Sequence, residues 1–196
     1  VTGLVDRVVE DDKEALDEIK KFLSYFPSHN NELPPIHNVQ EKKNNIDNIL
    51  NILPESKHQV YDSKKITDLI FDDESAFELK RKFGKSINTS LYRLKGETVG
   101  VIASNPKNKG GAIDVDSCRK VTSFLILCDS FNIPIIFLVD QPGFLIGLEG
   151  EKRGAPGLIM NWMNALTQVT VPKISITMRK NYGQAFLNMG GGRNSN

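Results

Sequence analysis

The run Ile133-Pro-Ile-Ile-Phe-Leu-Val139 has no polar side chain and ends in Asp140-Gln141-Pro142-Gly143. Entered through Pro134 and closed by turn residues, it reads as a strand buried on both faces, which demands cover from above and below. The flanking segments supply that cover. Residues 115–131 form a helix with Val121, Phe124, Leu125, Leu127, Cys128 and Phe131 inward, and residues 157–169 form another. Val171–Met178 is a further strand, and Ser90–Asn105 holds two strands joined at Lys95-Gly96-Glu97. Strands alternating with helices imply a parallel sheet with crossover helices, an α/β fold from about residue 60 onward.

The first third of the chain has a different character. Ala15, Leu16, Ile19, Phe22, Leu23 and Phe26 recur at helical spacing behind the acids Glu10, Asp11 and Asp12, so residues 12–25 are expected to form a peripheral amphipathic helix. Pro27, Pro34 and Pro35 stop it and begin an extended surface connector over residues 27–60, asparagine-rich from Asn38 to Asn51. Asp62–Ile70 reads as a short helix and Ser75–Phe83 as another helix or a turn.

Composition narrows the function. Lys and Arg number 25 against 24 Asp and Glu, so no global field draws the chain to nucleic acid. No apolar run reaches the ~18–20 residues needed to span a bilayer, and no signal peptide opens the chain. Cys118 and Cys128, about 15 Å apart along one helix, cannot pair there and suit a reducing compartment as core thiols. His29, His37 and His58 lie outside the α/β core, no G-x-S-x-G elbow occurs, and neither a zinc-ligand spacing nor a P-loop is present. A serine hydrolase is not expected, nor a metal site. With Val first and Gly-Gly-Gly-Arg-Asn-Ser-Asn last, neither end reads as a natural terminus, and a fragment is expected.

In a parallel sheet, ligands gather beyond the carboxyl ends of the strands. Two elements fall there. One is the loop Asp140-Gln-Pro142-Gly143-Phe144, in which Asp140 taken singly suits turn chemistry. The other is Arg153-Gly154-Ala155-Pro156-Gly157, where Gly-Ala leaves backbone amides unobstructed at a helix start and Pro156 suits the first turn. Such amides can stabilise an anion or oxyanion, although many ordinary helices begin the same way.

The segment from Ile133 to Gly147 closely resembles the carboxyltransferase β subunits of propionyl-CoA and acetyl-CoA carboxylases. Val171-Pro-Lys-Ile, Arg179-Lys180, Tyr182-Gly183 and Ala185 resemble the family's next strand and turn. Gly111-Ala-Ile-Asp, Phe124, Cys128-Asp129, Asn132-Ile-Pro, Tyr25–Pro27, Asn30-Asn31 and Pro34-Pro35 extend the likeness in colinear order.

The resemblance implies a crotonase-like (ClpP/crotonase) carboxyltransferase fold, present in part. Residues 1–35 would end the N-terminal half, 36–60 connect, and 61–196 begin the C-terminal half. It implies carboxyl transfer between carboxybiotin on a carrier domain and the α carbon of an acyl-CoA of the propionyl or acetyl class. Gly154 and Ala155 would stabilise the biotin enolate oxygen, Asp140, Pro142, Gly143 and Phe144 would form the biotin-binding loop, and no side-chain base would be needed. Biotin would arrive on a partner, with no metal in this chain. Implied partners are a biotin carboxyl carrier, a biotin carboxylase, acyl-CoA and further copies in a hexamer, in the cytoplasm or, in a eukaryote, the mitochondrial matrix. Pro156-Gly157 departs from the lysine the family commonly carries after Gly-Ala, and Gly190-Gly-Gly-Arg-Asn departs as well, which leaves the acyl chain open. The other oxyanion pair would lie in the missing half, so the fragment alone is expected to be inactive. Alternatives are the carboxyltransferase α subunit of a biotin-dependent decarboxylase, a crotonase-type hydratase or isomerase using Glu149 or Glu151, and a non-catalytic scaffold.

Overall fold

The computed structural model describes residues 2–39 and 48–191. Helix α1 (Asp12–Leu23) starts at Asp11, whose carboxylate accepts from the Glu14 amide at 2.7 Å, while Glu14 accepts from the Glu10 amide at 2.8 Å. Asp11 thus satisfies an orphan donor of the first turn and Glu14 reaches back to the residue before the cap, where the dipole also favours negative charge. Two short helices follow, α2 (Asn48–Ile52) and α3 (Ser63–Ile70), the latter capped by Asp62.

Five strands form one sheet in sequential order: β1 (Phe77–Leu79), β2 (Ile87–Leu94), β3 (Glu97–Ser104), β4 (Ile135–Gln141) and β5 (Lys173–Asn181). β1, β2 and β3 pair antiparallel, whereas β3, β4 and β5 are parallel. The parallel part requires crossovers, supplied by α4 (Val115–Ser130) and by the pair α5 (Leu148–Lys152) and α6 (Ala155–Gln168). A last short helix, α7 (Gln184–Asn188), packs on α6 through Asn188, whose side-chain amide donates to the Ile159 carbonyl at 3.1 Å.

α4 and α6 cover one face of the sheet, burying Val121, Phe124, Leu125, Cys128, Trp162 and Leu166 against Ile102, Phe137 and Val139. Gly100 lets α4 lie this close: a Cβ there would stand 2.5 Å from Cys128 Sγ. Both cysteines are buried free thiols, and burial pushes Cys118 up to about 12. On the opposite face Phe71, at the end of α3, stacks on Tyr92 above Val99, Val101 and Leu138.

Several sequence expectations shift in detail. Ser75–Phe83, read as a helix or turn, contains edge strand β1. β4 and β5 start after Pro134 and Pro172, whose carbonyls accept the Gly100 and Ile135 amides at 2.9 Å each; proline itself has no ladder donor to give. α1 presents Phe22 to the core, together with Phe26 just beyond its end, but leaves Leu16, Ile19 and Leu23 exposed. Tyr25, just past α1, is fully buried and donates to the Ser75 carbonyl. The described parts of the connector stay on the surface; its 40–47 portion lies outside the described residues, as do residues 192–194 of the Gly190-Gly-Gly-Arg-Asn stretch. His37 donates to the Gly96 carbonyl at 3.0 Å, and a Cβ on Gly96 would lie 1.9 Å from the His37 carbonyl.

Lys120 on α4 is 1% exposed, its ammonium donating to the carbonyls of Phe83 and Ile87 at 3.1 and 2.9 Å. Burial lowers its pKa from the usual 10.5 to about 8, with Glu78 and Asp114 opposing and Lys80 assisting. Between those two values the unfolded chain binds the proton that the folded chain has released, so Lys120 makes stability rise with pH across this window. The stability difference between wild type and Lys120→Met should therefore move in favour of wild type by up to ~3 kcal/mol from below pH 8 to pH 10.5. Paired urea titrations check this, and the comparison cancels the buried thiols and tyrosines. A difference that does not vary with pH would show that Lys120 keeps its ordinary affinity for the proton.

Candidate active site at the carboxyl ends of the parallel strands

β3, β4 and β5 end together, and the loops beyond them interlock. After β3, a 3₁₀ turn at Lys109–Gly111 runs against β4: Gly111 has φ +85, and a Cβ there would stand 2.8 Å from the Asp140 carbonyl. Ile113 then donates to the Gly143 carbonyl at 3.0 Å, and Leu145 donates to the Ile113 carbonyl at 2.7 Å. These bonds sew the loop 142–145 to the segment entering α4. Phe144 packs edge-on against Trp162 at 6.0 Å, while Pro142 is exposed.

Asp140 is fully buried. Its Oδ2 accepts from Arg179 Nε at 2.8 Å, with Nη2 equally near but without hydrogen-bonding geometry, and its Oδ1 accepts from the Lys180 amide at 3.2 Å. Arg179 Nη1 donates to the carbonyls of Ser56 and Gln59 at 2.9 Å, and its guanidinium lies 4.7 Å over the Tyr61 ring. Burial, with Asp140 beside it, raises the Tyr61 pKa. The carboxylate is thus committed to a buried cluster that ties the connector to the ends of β4 and β5. Next to it, Gln141 is buried and donates to Asn181 Oδ1 at 2.6 Å, fastening the β4 end to the β5 end.

In front of these loops is a cleft of about 500 Å³. Val115, Leu145, Ile146 and Leu148 make its apolar wall, and Lys109 and Arg153 stand at its edges. Both cations are paired with acids at the start of α4: Lys109 Nζ is 2.5 Å from the N-cap Asp114, and Arg153 bonds Asp116 on the first turn. Burial works against ionisation of Asp114, but Lys109 and the Ser117 amide and hydroxyl outweigh it and hold the carboxyl below its usual range.

Gly154 and Ala155 stand at the start of α6, as the sequence implies. Gly154 is the left-handed N-cap (φ 72°, ψ 34°), and Ala155 is the first helical residue. The Gly154 amide is already engaged, donating to the Glu151 carbonyl at 2.9 Å, and the cleft wall ends one residue earlier at Arg153. The first bond into the helix runs from Leu158 to the Gly154 carbonyl at 3.2 Å, so α6 itself offers no acceptor to the Ala155 and Gly157 amides, and Pro156 has none to offer. Added Cβ atoms at Gly154 or Gly157 would meet nothing within 4 Å, which leaves this corner open to a ligand.

The sequence reading did not assign roles to Arg179, Tyr61, Lys109, Asp116 or Arg153. Arg179 carries a weak signal, a cation at the end of an apolar strand, but its partner is 39 residues away and nothing local names it. Among the described residues no three His, Cys, Asp or Glu side chains gather as metal ligands, and no helix is long and apolar enough to cross a membrane.

A carboxyl transferase domain model matches residues 1–196. The propionyl-CoA carboxylase beta chain of Roseobacter denitrificans is 34% identical over 189 residues, covering 96% of this chain and 37% of that protein. The methylmalonyl-CoA decarboxylase subunit alpha of Propionigenium modestum is 32% identical over 189 residues, with the same coverages of 96% and 37%. Among solved structures, the transcarboxylase 12S hexamer crystallised with hydrolysed methylmalonyl-coenzyme A superposes with a TM-score of 0.93 at 33% identity, covering 97% of this chain and 38% of that one. The fold is thus the crotonase-like carboxyltransferase fold expected from the sequence, in part. The chain spans about 37% of the length of the curated relatives it matches.

Proposed function

The chain belongs to the carboxyl transferase domain family, and on that premise we propose that it forms the biotin-facing part of an enzyme moving a carboxyl group between carrier-borne biotin and the α carbon of an acyl-CoA. The observation that carries this reading is the open start of α6 beside an apolar-walled cleft, at the carboxyl ends of parallel strands. Biotin, when bound, would supply the carboxyl group at its ureido function. The ring system is apolar and uncharged apart from that group, and the cleft wall of Val115, Leu145, Ile146 and Leu148 fits it.

On this reading, Gly154 supplies the left-handed turn that exposes the helix start, and the Ala155 amide, followed by that of Gly157, donates toward negative charge. Pro142, Gly143 and Phe144 shape the neighbouring wall, and Asp140 acts from behind by holding that loop on Arg179. Residues 1–35 would close an N-terminal half, 36–60 connect, and 61–196 open a C-terminal half. The thioester donors would then belong to another part of the assembly, which is proposed to be a homo-oligomer served by a biotin carboxylase and its carrier, in the cytoplasm or mitochondrial matrix. Relatives named for carboxylation and for decarboxylation are almost equally similar, so the reaction is best assayed both ways.

The full-length protein, given carboxylated carrier and propionyl-CoA, is expected to form carboxylated acyl-CoA, and given methylmalonyl-CoA and free carrier to run the reverse. Residues 1–196 alone should be nearly silent in both assays, because lacking even one oxyanion donor costs ~10²–10³ in rate. Full turnover by the 196-residue chain would refute the division of the site; no turnover by the intact protein, with carrier demonstrably carboxylated, would refute the reaction.

A further inference from the structure

We infer that Arg153 and Asp116 form a latch holding a hinged strap, residues 147–153, and thereby position the start of α6 for the reaction. The positioning part rests on the function proposed above; the latch itself does not. α5, the body of the strap, buries none of its residues. It is bounded by Gly147 (φ +131) and Gly154 (φ +72), and a Cβ on either would meet nothing within 4 Å, so two unobstructed glycines flank a helix with no apolar anchor.

Its own bonds close on themselves. Glu151 donates to the Gly147 carbonyl at 3.0 Å, Arg153 to the Gly150 carbonyl at 3.2 Å, and Lys152 pairs with Glu149 at 3.4 Å. Among the described residues, the Arg153–Asp116 pair is the one side-chain hydrogen bond or ion pair that leaves the strap. Asp116 sits on the first turn of α4, whose start is fixed by Asp114 accepting from the Ser117 amide at 2.8 Å and whose inner face is buried in the core. The latch thus ties a segment without packing to the most firmly packed helix, immediately before the Gly154 turn. A half-exposed ion pair is weak, but it acts on a segment with little else to hold it.

The test uses the full-length protein with Asp116→Asn, Arg153→Gln and the conservative Asp116→Glu, read by hydrogen exchange over residues 147–158 and by steady-state kinetics with carboxylated carrier. Either neutral variant should speed exchange there about two- to fivefold while α4 exchanges as before, and 1 M salt should bring wild type toward the same rate. kcat should fall by a similar factor with KM for acyl-CoA unchanged, and Asp116→Glu should recover most of both effects. Unchanged exchange in both neutral variants overturns the latch. Faster exchange with unaltered kcat overturns the positioning role if Gly154→Val disables the enzyme; if Gly154→Val also turns over normally, the failure lies in the proposed site, and the latch alone stands.

Discussion

Asp140→Ala is expected to destabilise the fold by about 3–5 kcal/mol, the range for stripping one partner from a buried ion pair. Asp140 is fully buried, and Arg179 is 7% exposed at its side chain, so the substitution leaves a guanidinium in the interior with no counter-charge at contact distance among the described residues. Two further effects add to this. The Lys180 amide loses its acceptor, and Arg179, no longer held from below, is less able to keep the Ser56 and Gln59 carbonyls in place. The pair itself is not a large net stabiliser, because removing both charges also removes both desolvation penalties. Asp140→Leu combined with Arg179→Met should accordingly cost less than Asp140→Ala alone. Urea midpoints for the three proteins decide the matter, and a loss below about 1 kcal/mol for Asp140→Ala would mean that Arg179 finds water on its own.

If the proposed function holds, Gly154→Val in the full-length protein is expected to lower turnover by ~10²–10³, with acyl-CoA binding little changed. The residue sits at φ 72°, where a β-branched side chain costs of order 1–3 kcal/mol, and relaxing that strain would turn the Ala155 amide from its present direction. The new methyl groups also enter the space left open at the helix start. Gly154→Ala separates the two causes: it carries the backbone strain with less bulk, and an intermediate loss is expected. Kinetics with carboxylated carrier, alongside a denaturation curve to establish that both variants are folded, provide the check. Normal turnover by a folded Gly154→Val enzyme removes this corner from the mechanism.

Much of the architecture was legible in the residues because it depends on local pattern. The seven apolar residues from Ile133 to Val139 permit little except a strand covered twice, and β4 is that strand, displaced by two residues because Pro134 cannot donate to a ladder. The hairpin of β2 and β3 turns at Lys95-Gly96, both at positive φ, as the sequence suggested. α5 was not legible. Its residues bury nothing, so they show no hydrophobic period, and two glycines in Leu148–Gly154 argue against a helix. β1 escaped for a related reason: three residues are too few to display alternation, and the strand exists because β2 offers it an edge.

The sequence by itself therefore determined the layers, the order of the longer strands and helices, and the positions of the two loops proposed to carry the chemistry, since each follows from side-chain period, proline and glycine within a few neighbouring positions. Which groups in those loops remain free to act was decided by the tertiary structure. Asp140 is spent on Arg179, 39 residues away, and the Gly154 amide is taken by Glu151 once α5 forms. Arg153 reaches Asp116, 37 residues back in the chain. A charge or an amide is available only when no other group satisfies it, and for Asp140 and Arg153 the satisfying group is brought by packing from positions that no local pattern names.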